Sequence, residues 1–261
     1  MEKHLHLGEL DQHAKIWRYM DLTKFLDLIL NQEIYLRRID KFQDVYEGFV
    51  SAKFCDVAHK SYADLAKPFG KSEEDMEELS NLHINNQSLL PMYSYASCWY
   101  IGEEESAAMW KLYGETKNCI AILTSVANLE EALINDNNNA VVYIKEVTYH
   151  EDDKRPESIN WLNPLFEKRT SFKYEQELRV LYFLGEGLTS ISYPNNLNPP
   201  DKKSINNPDG IKLKINLATL VNGVYISPEA DPHFKGLVEK LLDRMGLQDI
   251  GCIQSELYTL K

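Results

Sequence analysis

The sequence predicts an α+β fold, a mixed or antiparallel sheet core with peripheral helices. Short β-branched runs recur along the chain, two segments carry clean helical stripes, and the stretch 172–183 alternates like a strand. No internal repeat is visible. The 261 residues are read as one domain, 1–261, with a helical insertion at about 50–90 and a long flexible loop at about 184–210.

The elements follow in order. Ile16 to Tyr19 is apolar enough for a first short strand. Asp21 or Thr23 can cap a helix whose stripe is Leu22, Phe25, Leu26, Ile29 and Leu30, and Asn31 can stop it. Ile34 to Arg37 reads as a second strand, and residues 50–90 as mixed helix and loop, polar and acidic. Strand character returns at Tyr93 to Tyr100, followed by a helix over Glu105 to Tyr113. Cys119 to Leu123 has buried-strand length, Asn128 to Asn135 fits a short helix, and Ala140 to Tyr149 is a longer β-branched run. Gly, Pro and Asn make 185–210 a loop. Ile211 to Leu217 alternates, and Val224 to Ser227 is another strand. Asp231-Pro232 opens a helix bearing Phe234, Leu237, Val238, Leu241, Leu242 and Met245, and a last strand lies near Cys252 and Ile253.

The alternating stretch is the most informative. As a strand it puts Tyr174, Gln176, Leu178, Val180 and Tyr182 on one face and Lys173, Glu175, Glu177 and Arg179 on the other. Alternate residues lie roughly 7 Å apart, and two carboxylates at that distance repel by about 2 kcal/mol at an effective dielectric of 20. Such a row suits a cleft, where it offers acids and bases, and not a dry core. The same residues also fit a solvated strand face, or a helix with Glu175 and Arg179 four apart.

Composition narrows the function classes. A net charge of −12, from 28 basic and 40 acidic residues, argues against general nucleic-acid binding, which needs clustered Lys and Arg. No apolar run approaches the ~20 residues of a membrane span, and the start lacks a signal-peptide core, so a cytoplasmic protein is expected. Cys55, Cys98, Cys119 and Cys252 are far apart, which favours reduced thiols over disulfides or zinc. His4, His6 and His13 are assigned to a frayed terminus, and no metal is expected.

Four further segments place polar residues among aromatics. In Trp17-Arg18-Tyr19 the Arg points away from its neighbours, either to solvent or into a polar cleft, where its fork suits a diphosphate. Phe42-Gln43-Asp44-Val45-Tyr46-Glu47-Gly48 fits a pocket wall, or a turn capped by Asp44 with Glu47 starting a helix. Ser97 shares a strand face with Tyr95 and Trp99 and either orients a ligand or is a satisfied core hydroxyl. Met109, Trp110 and Tyr113 sit at helical spacing, as core or as pocket lining. The expectation is that Arg18, Tyr19, Asp44, Glu47, Ser97, Trp110 and Arg179 gather around Glu175 and Glu177.

These segments, in this order, resemble the bacterial domain of unknown function 2971 over roughly residues 16–255. The pattern there is an aromatic-rich first strand, a Phe-Asn-Asp loop ending in Glu, a Ser strand, Met-Trp-x-x-Tyr and Tyr-Glu-x-Glu-x-Arg. Here Gln43 stands where Asn is usual and Phe172 where Trp is commoner. The order Arg18, Ser97, Glu175-Gln176-Glu177 is also similar to one class of ADP-ribosyltransferases. That similarity implies NAD as substrate, with Arg18 on the phosphates, Ser97 at the nicotinamide ribose and Glu177 stabilising a cationic transition state, Glu175 beside it. The implied function is NAD or nucleotide binding with ADP-ribosyltransferase or NAD glycohydrolase chemistry, in bacterial defence or stress response. A non-catalytic ligand- or partner-binding module of such a system uses the same cleft without turnover. A nuclease, with Asp44, Glu47, Glu175 and Glu177 around a metal, is a third class.

Overall fold

Among the described residues, hydrogen bonding joins ten strands into one sheet. The structure, a computed structural model, describes residues 4–6, 9–113, 117–133, 141–151, 162–184, 202 and 205–260. The strands are β1 (His4–His6), β2 (Lys15–Asp21), β3 (Glu33–Arg38), β4 (Ser94–Ile101), β5 (Cys119–Ser125), β6 (Val141–Glu146), β7 (Thr148–His150), β8 (Glu167–Arg169), β9 (Glu177–Phe183), β10 (Gly210–Lys214), β11 (Gly223–Ile226) and β12 (Gly251–Gln254). The helices are α1 (Leu22–Asn31), α2 (Ala52–Phe69), α3 (Glu73–Tyr93), α4 (Ala107–Tyr113), α5 (Val126–Ala132), α6 (Leu217–Leu220) and α7 (Pro232–Arg244). The sheet order is β1-β6-β9-β4-β2-β5-β11-β12, with β3 and β10 as a branch and β7-β8 as a separate ribbon. Most pairings are antiparallel, with β1-β6, β11-β12 and the β7-β8 ribbon parallel, so the α+β expectation holds.

The branch is the feature that matters for function. β4 pairs with β9 along its whole length, from Ser94 opposite Phe183 to Tyr100 opposite Glu177. Its other edge is shared. β2 holds only the far end, through Ile101 and Tyr100, while β3 holds Ala96 and Tyr95. Beyond these pairs β2 turns away with β5, and β3 turns away with β10. A fork opens between β2 and β3, with β4 residues 97–99 at its base.

Period-two alternation then assigns the two faces. Ile16, Met20, Tyr95, Trp99, Leu178 and Val180 enter the main core, which α1, α5, α6 and α7 cover with Phe25, Leu129, Leu220 and Val238. The opposite face carries two smaller clusters. One joins Ala96 and Leu181 to Leu90, Leu165 and Phe166, and the other joins Trp17 and Tyr19 to Met109 and Trp110.

Helix boundaries follow local chemistry. Asp21 caps α1 by accepting from Lys24 N at 2.8 Å, and Gln32 ends it in the left-handed region. The 50–90 segment, expected as mixed helix and loop, is two long helices joined by a short turn. Ser51 caps α2, Gly70 closes it at φ 61°, and Ser72 and Asp75 form a capping box for α3. Glu73, Glu74 and Asp75 form the first turn of α3, where negative charge suits the dipole.

Four expectations are corrected. The segment 172–183 is not one strand: Thr170–Glu175 is a 3-10 turn, Gln176 takes φ 37°, and β9 begins only at Glu177. Tyr174, expected on one strand face with the buried Leu178, is 46% exposed as a result. The run 140–149 is split, because Val147 N bonds Glu177 O where β9 begins, and the chain then leaves to pair with β8. The N-terminal segment, expected to fray, pairs through its backbone at His4–His6 with Val142–Ile144. Most of the expected loop at 184–210 lies outside the described residues.

Candidate functional site

The carboxylates and cations of β9 do not line an open cleft but interlock in a buried cluster. Arg179 is fully buried and Glu177, Glu47 and Lys168 nearly so, at 3%, 6% and 7% exposed. Arg179 grips Glu177 through Nε to Oε1 at 2.7 Å and Nη2 to Oε2 at 3.1 Å. Its Nη1 also donates to Glu47 Oε2 at 3.0 Å and to the Leu165 carbonyl at 2.5 Å. Lys168 Nζ gathers three carboxylates, Glu47 at 3.1 Å, Glu175 at 2.5 Å and Glu177 at 3.0 Å. A dry interior, expected to exclude such a row, holds it because Lys168 and the Arg179 fork satisfy each carboxylate locally.

Backbone geometry brings these partners together. The αL turn at Gln176 lets Glu175, on the 3-10 turn, reach the same ammonium as Glu177 on β9. Gly48 lets the 42–48 loop tuck Glu47 inward: its φ is +66°, and a Cβ there would stand 2.6 Å from Pro91 Cγ and 3.2 Å from Leu165 Cδ2. Gly48→Ala is therefore expected to destabilise by roughly 1–3 kcal/mol, combining left-handed strain with overpacking. Urea denaturation checks this, and an unchanged midpoint would show the loop relaxing freely.

Electrostatics separates the two glutamates. Burial pushes the Glu177 carboxyl up, but Arg179 and Lys168 outweigh it and hold the group at about 2. Burial raises Glu175 above the usual carboxylate range, with Lys168 opposing and Glu177 and Glu47 adding repulsion. A depressed carboxylate contributes stability that is complete above its unfolded pKa of about 4.3 and lost as pH falls toward the folded value. For Glu177 that is on the order of 3 kcal/mol, lost between about pH 4.3 and 2. Glu177→Gln should flatten the acid limb of a stability-pH curve in that window. An unaltered limb would show that other groups carry the acid sensitivity.

The remaining expected site residues are dispersed. Asp44 is near, paired with Arg169 at 2.8 Å, one residue from Lys168. Tyr19 and Trp110 pack edge-to-face at 4.9 Å in the neighbouring cluster, with Tyr19 Oη accepting from Ser106 N and Trp110 Nε1 donating to Glu105. Ser97 lies on the opposite face of β4, opposite Val180, buried and with its hydroxyl unpartnered among the described residues. Arg18 shares that inner face with Ile16 and Met20. Of the expected set, direct contact joins only Glu47, Glu175, Glu177 and Arg179 in this cluster, whereas Arg18 and Ser97 take the inner-face register of β2 and β4.

Arg18 occupies the fork itself. Its guanidinium lies over the Trp99 ring at 5.5 Å, and Nη2 donates to the Tyr35 carbonyl across the opening at 2.9 Å. No carboxylate lies within ion-pair distance of it among the described residues. Desolvation lowers its pKa, and Cys98 and Tyr113 are close enough to act on it. Cys98 in turn faces Glu177, and its thiol is pushed up by burial first and by Glu177 second. Tyr113 is raised by burial and by Cys98, Glu175 and Glu177. Cys98 and Tyr113 therefore link the fork to the carboxylate cluster.

Sequence reasoning missed Lys168, the hub of that cluster. Its only local signal is the charged triplet Glu167-Lys168-Arg169 directly before the alternating stretch. Among the described residues no group of His, Cys, Asp or Glu is arranged to hold a metal, and the Lys168 ammonium occupies the point where three carboxylates converge. A separate cavity of about 110 Å³, lined by Trp110, Lys111, Lys117, Ser227, Pro228, Glu229 and Tyr258, is too small to enclose a dinucleotide. No helix among the described residues is long and apolar enough to cross a membrane. Comparison with family models, with curated proteins and with solved structures finds no match to this chain.

Proposed function

We propose that this protein binds a phosphate-bearing nucleotide of the NAD type at the fork between β2 and β3, with Arg18 as the phosphate anchor. The observation that carries this reading is a desolvated arginine with no carboxylate in ion-pair distance among the described residues. A cation drawn from water is ordinarily paired, and an anionic ligand supplies the missing partner. Tyr113, exposed and close to the guanidinium, offers aromatic surface for a base. The order of Arg18, Ser97 and Glu175-Gln176-Glu177, similar to an ADP-ribosyltransferase, favours NAD among nucleotides.

Two versions of the function remain distinct. Both oxygens of Glu177 are held by Arg179 and Lys168, which favours a ligand-binding module without turnover. Cleavage of the nicotinamide–ribose bond would instead fall to Glu175, whose carboxyl is the less buried and the one raised in pKa. The bond's electron pair would leave with nicotinamide, and water or an acceptor hydroxyl would add to the ribose carbon.

Calorimetry with NAD, ADP-ribose and nicotinamide riboside tests the binding step. NAD and ADP-ribose should bind and the riboside, lacking a diphosphate, should not. Absence of heat for NAD and ADP-ribose at millimolar concentration would remove the reading. Chromatographic detection of nicotinamide then separates the versions: release abolished by Glu175→Gln marks the enzyme, and binding without release marks the module.

A further inference from the structure

The α2–α3 hairpin contains a polar seam that the nucleotide site does not use. Ser80, fully buried on α3, meets His59 Nδ1 of α2 at 2.9 Å. One turn along, the Tyr62 hydroxyl stands 3.5 Å from His83 Nδ1. The His83 ring stacks on Phe54, with centroids 5.8 Å apart and planes 14° from parallel. Among the described residues its buried Nε2 has no hydrogen-bond partner, nor has Asn86 Oδ1 one turn further along the same helix. A neutral imidazole is tolerated between two aromatic rings, whereas an imidazolium there carries a charge that no anion among the described residues meets.

The hairpin also grips the carboxylate cluster. Leu90, near the end of α3, packs with Leu165 and Phe166, and Pro91 lies directly against Gly48, the residue after Glu47. We infer that the hairpin is an acid-released clamp: protonation of His83 loosens α3 from α2 and so slackens the loop that holds Glu47. Burial alone lowers the His83 pKa below the ordinary histidine value. The hydroxyl of Tyr62 faces it from α2, and His59 lies one turn away behind Ser80. No charged group from α2, the 39–41 turn, β3 or β4 opposes the shift. Since the folded pKa lies below the unfolded value of about 6.5, the stability is complete above about 6.5 and is lost as pH falls from there through the folded value.

Hydrogen exchange followed by mass spectrometry at pH 7.5 and 5.5, corrected for intrinsic rates, reads this directly. Amides of α2 and α3 should lose at least threefold more protection at pH 5.5 than those of β9, and His83→Phe should abolish the difference. Equal loss in the wild type and the variant, or no loss in the wild type, overturns the clamp. Should His83→Phe fail to fold, His83→Gln replaces it. An NMR titration of the His83 ring in the wild type is an independent measurement: a midpoint below 6.5 supports the clamp, and one at or above 6.5 overturns it.

Discussion

Arg179→Met is expected to destabilise the protein by about 3–5 kcal/mol, the cost of leaving buried charges without their partner. The substitution keeps most of the side-chain volume but strips Glu177 of two hydrogen bonds and Glu47 of its Arg179 contacts. Lys168 alone would then face three carboxylates. At roughly 2–4 °C per kcal/mol for a chain of this size, Tm should fall by about 6–20 °C. Adding Glu177→Gln should restore part of the loss, since the two residues share one interaction and their effects cannot add. A loss below about 1 kcal/mol would mean that water reaches the cluster and that its burial contributes little.

Arg18→Met is expected to move stability the other way. Here the charge is half-buried and uncompensated, so its removal should leave Tm unchanged or raise it slightly, the methionine stem still covering Trp99. Nucleotide affinity should fall roughly 10- to 100-fold, the range for losing one charge-assisted hydrogen-bonded contact worth about 1.5–3 kcal/mol. Thermal shifts of both forms, with and without NAD, give both numbers. If Arg18→Met proves as destabilising as Arg179→Met, Arg18 is a structural residue and the anchor is lost. The contrast between these two arginines is the central test of the site.

The carboxylate site was half legible in the sequence. The alternation around Glu177 and Arg179 rightly marked a place where charges gather, and Glu47 was rightly drawn to them. The local geometry was misread, because nothing in the residue types of 170–176 reveals that Gln176 takes a left-handed turn. A strand and a 3-10 turn ending in αL present the same side chains to one ammonium by different routes. Lys168 was invisible because its role depends on β8 lying beside the start of β9, a contact set by the β7-β8 ribbon. Ser97 was placed correctly with Tyr95 and Trp99, and that correct alternation is what removes it from the carboxylates.

By itself, the sequence determined the α+β class, the helix start at Asp231 and one at Asp21 or Thr23, the main strand runs and which residues of β4 and β9 share a face. These depend on periodicity and local hydrogen bonding, which are properties of neighbouring residues. Only the tertiary structure decided that β4 is shared between two diverging strands, that Arg18 fills their fork, and that five charged side chains from three segments cancel one another out of water. The physical reason is range. Alternation fixes which face a side chain takes, whereas its charge partners are fixed by strand order and burial, and these emerge only when distant segments pack.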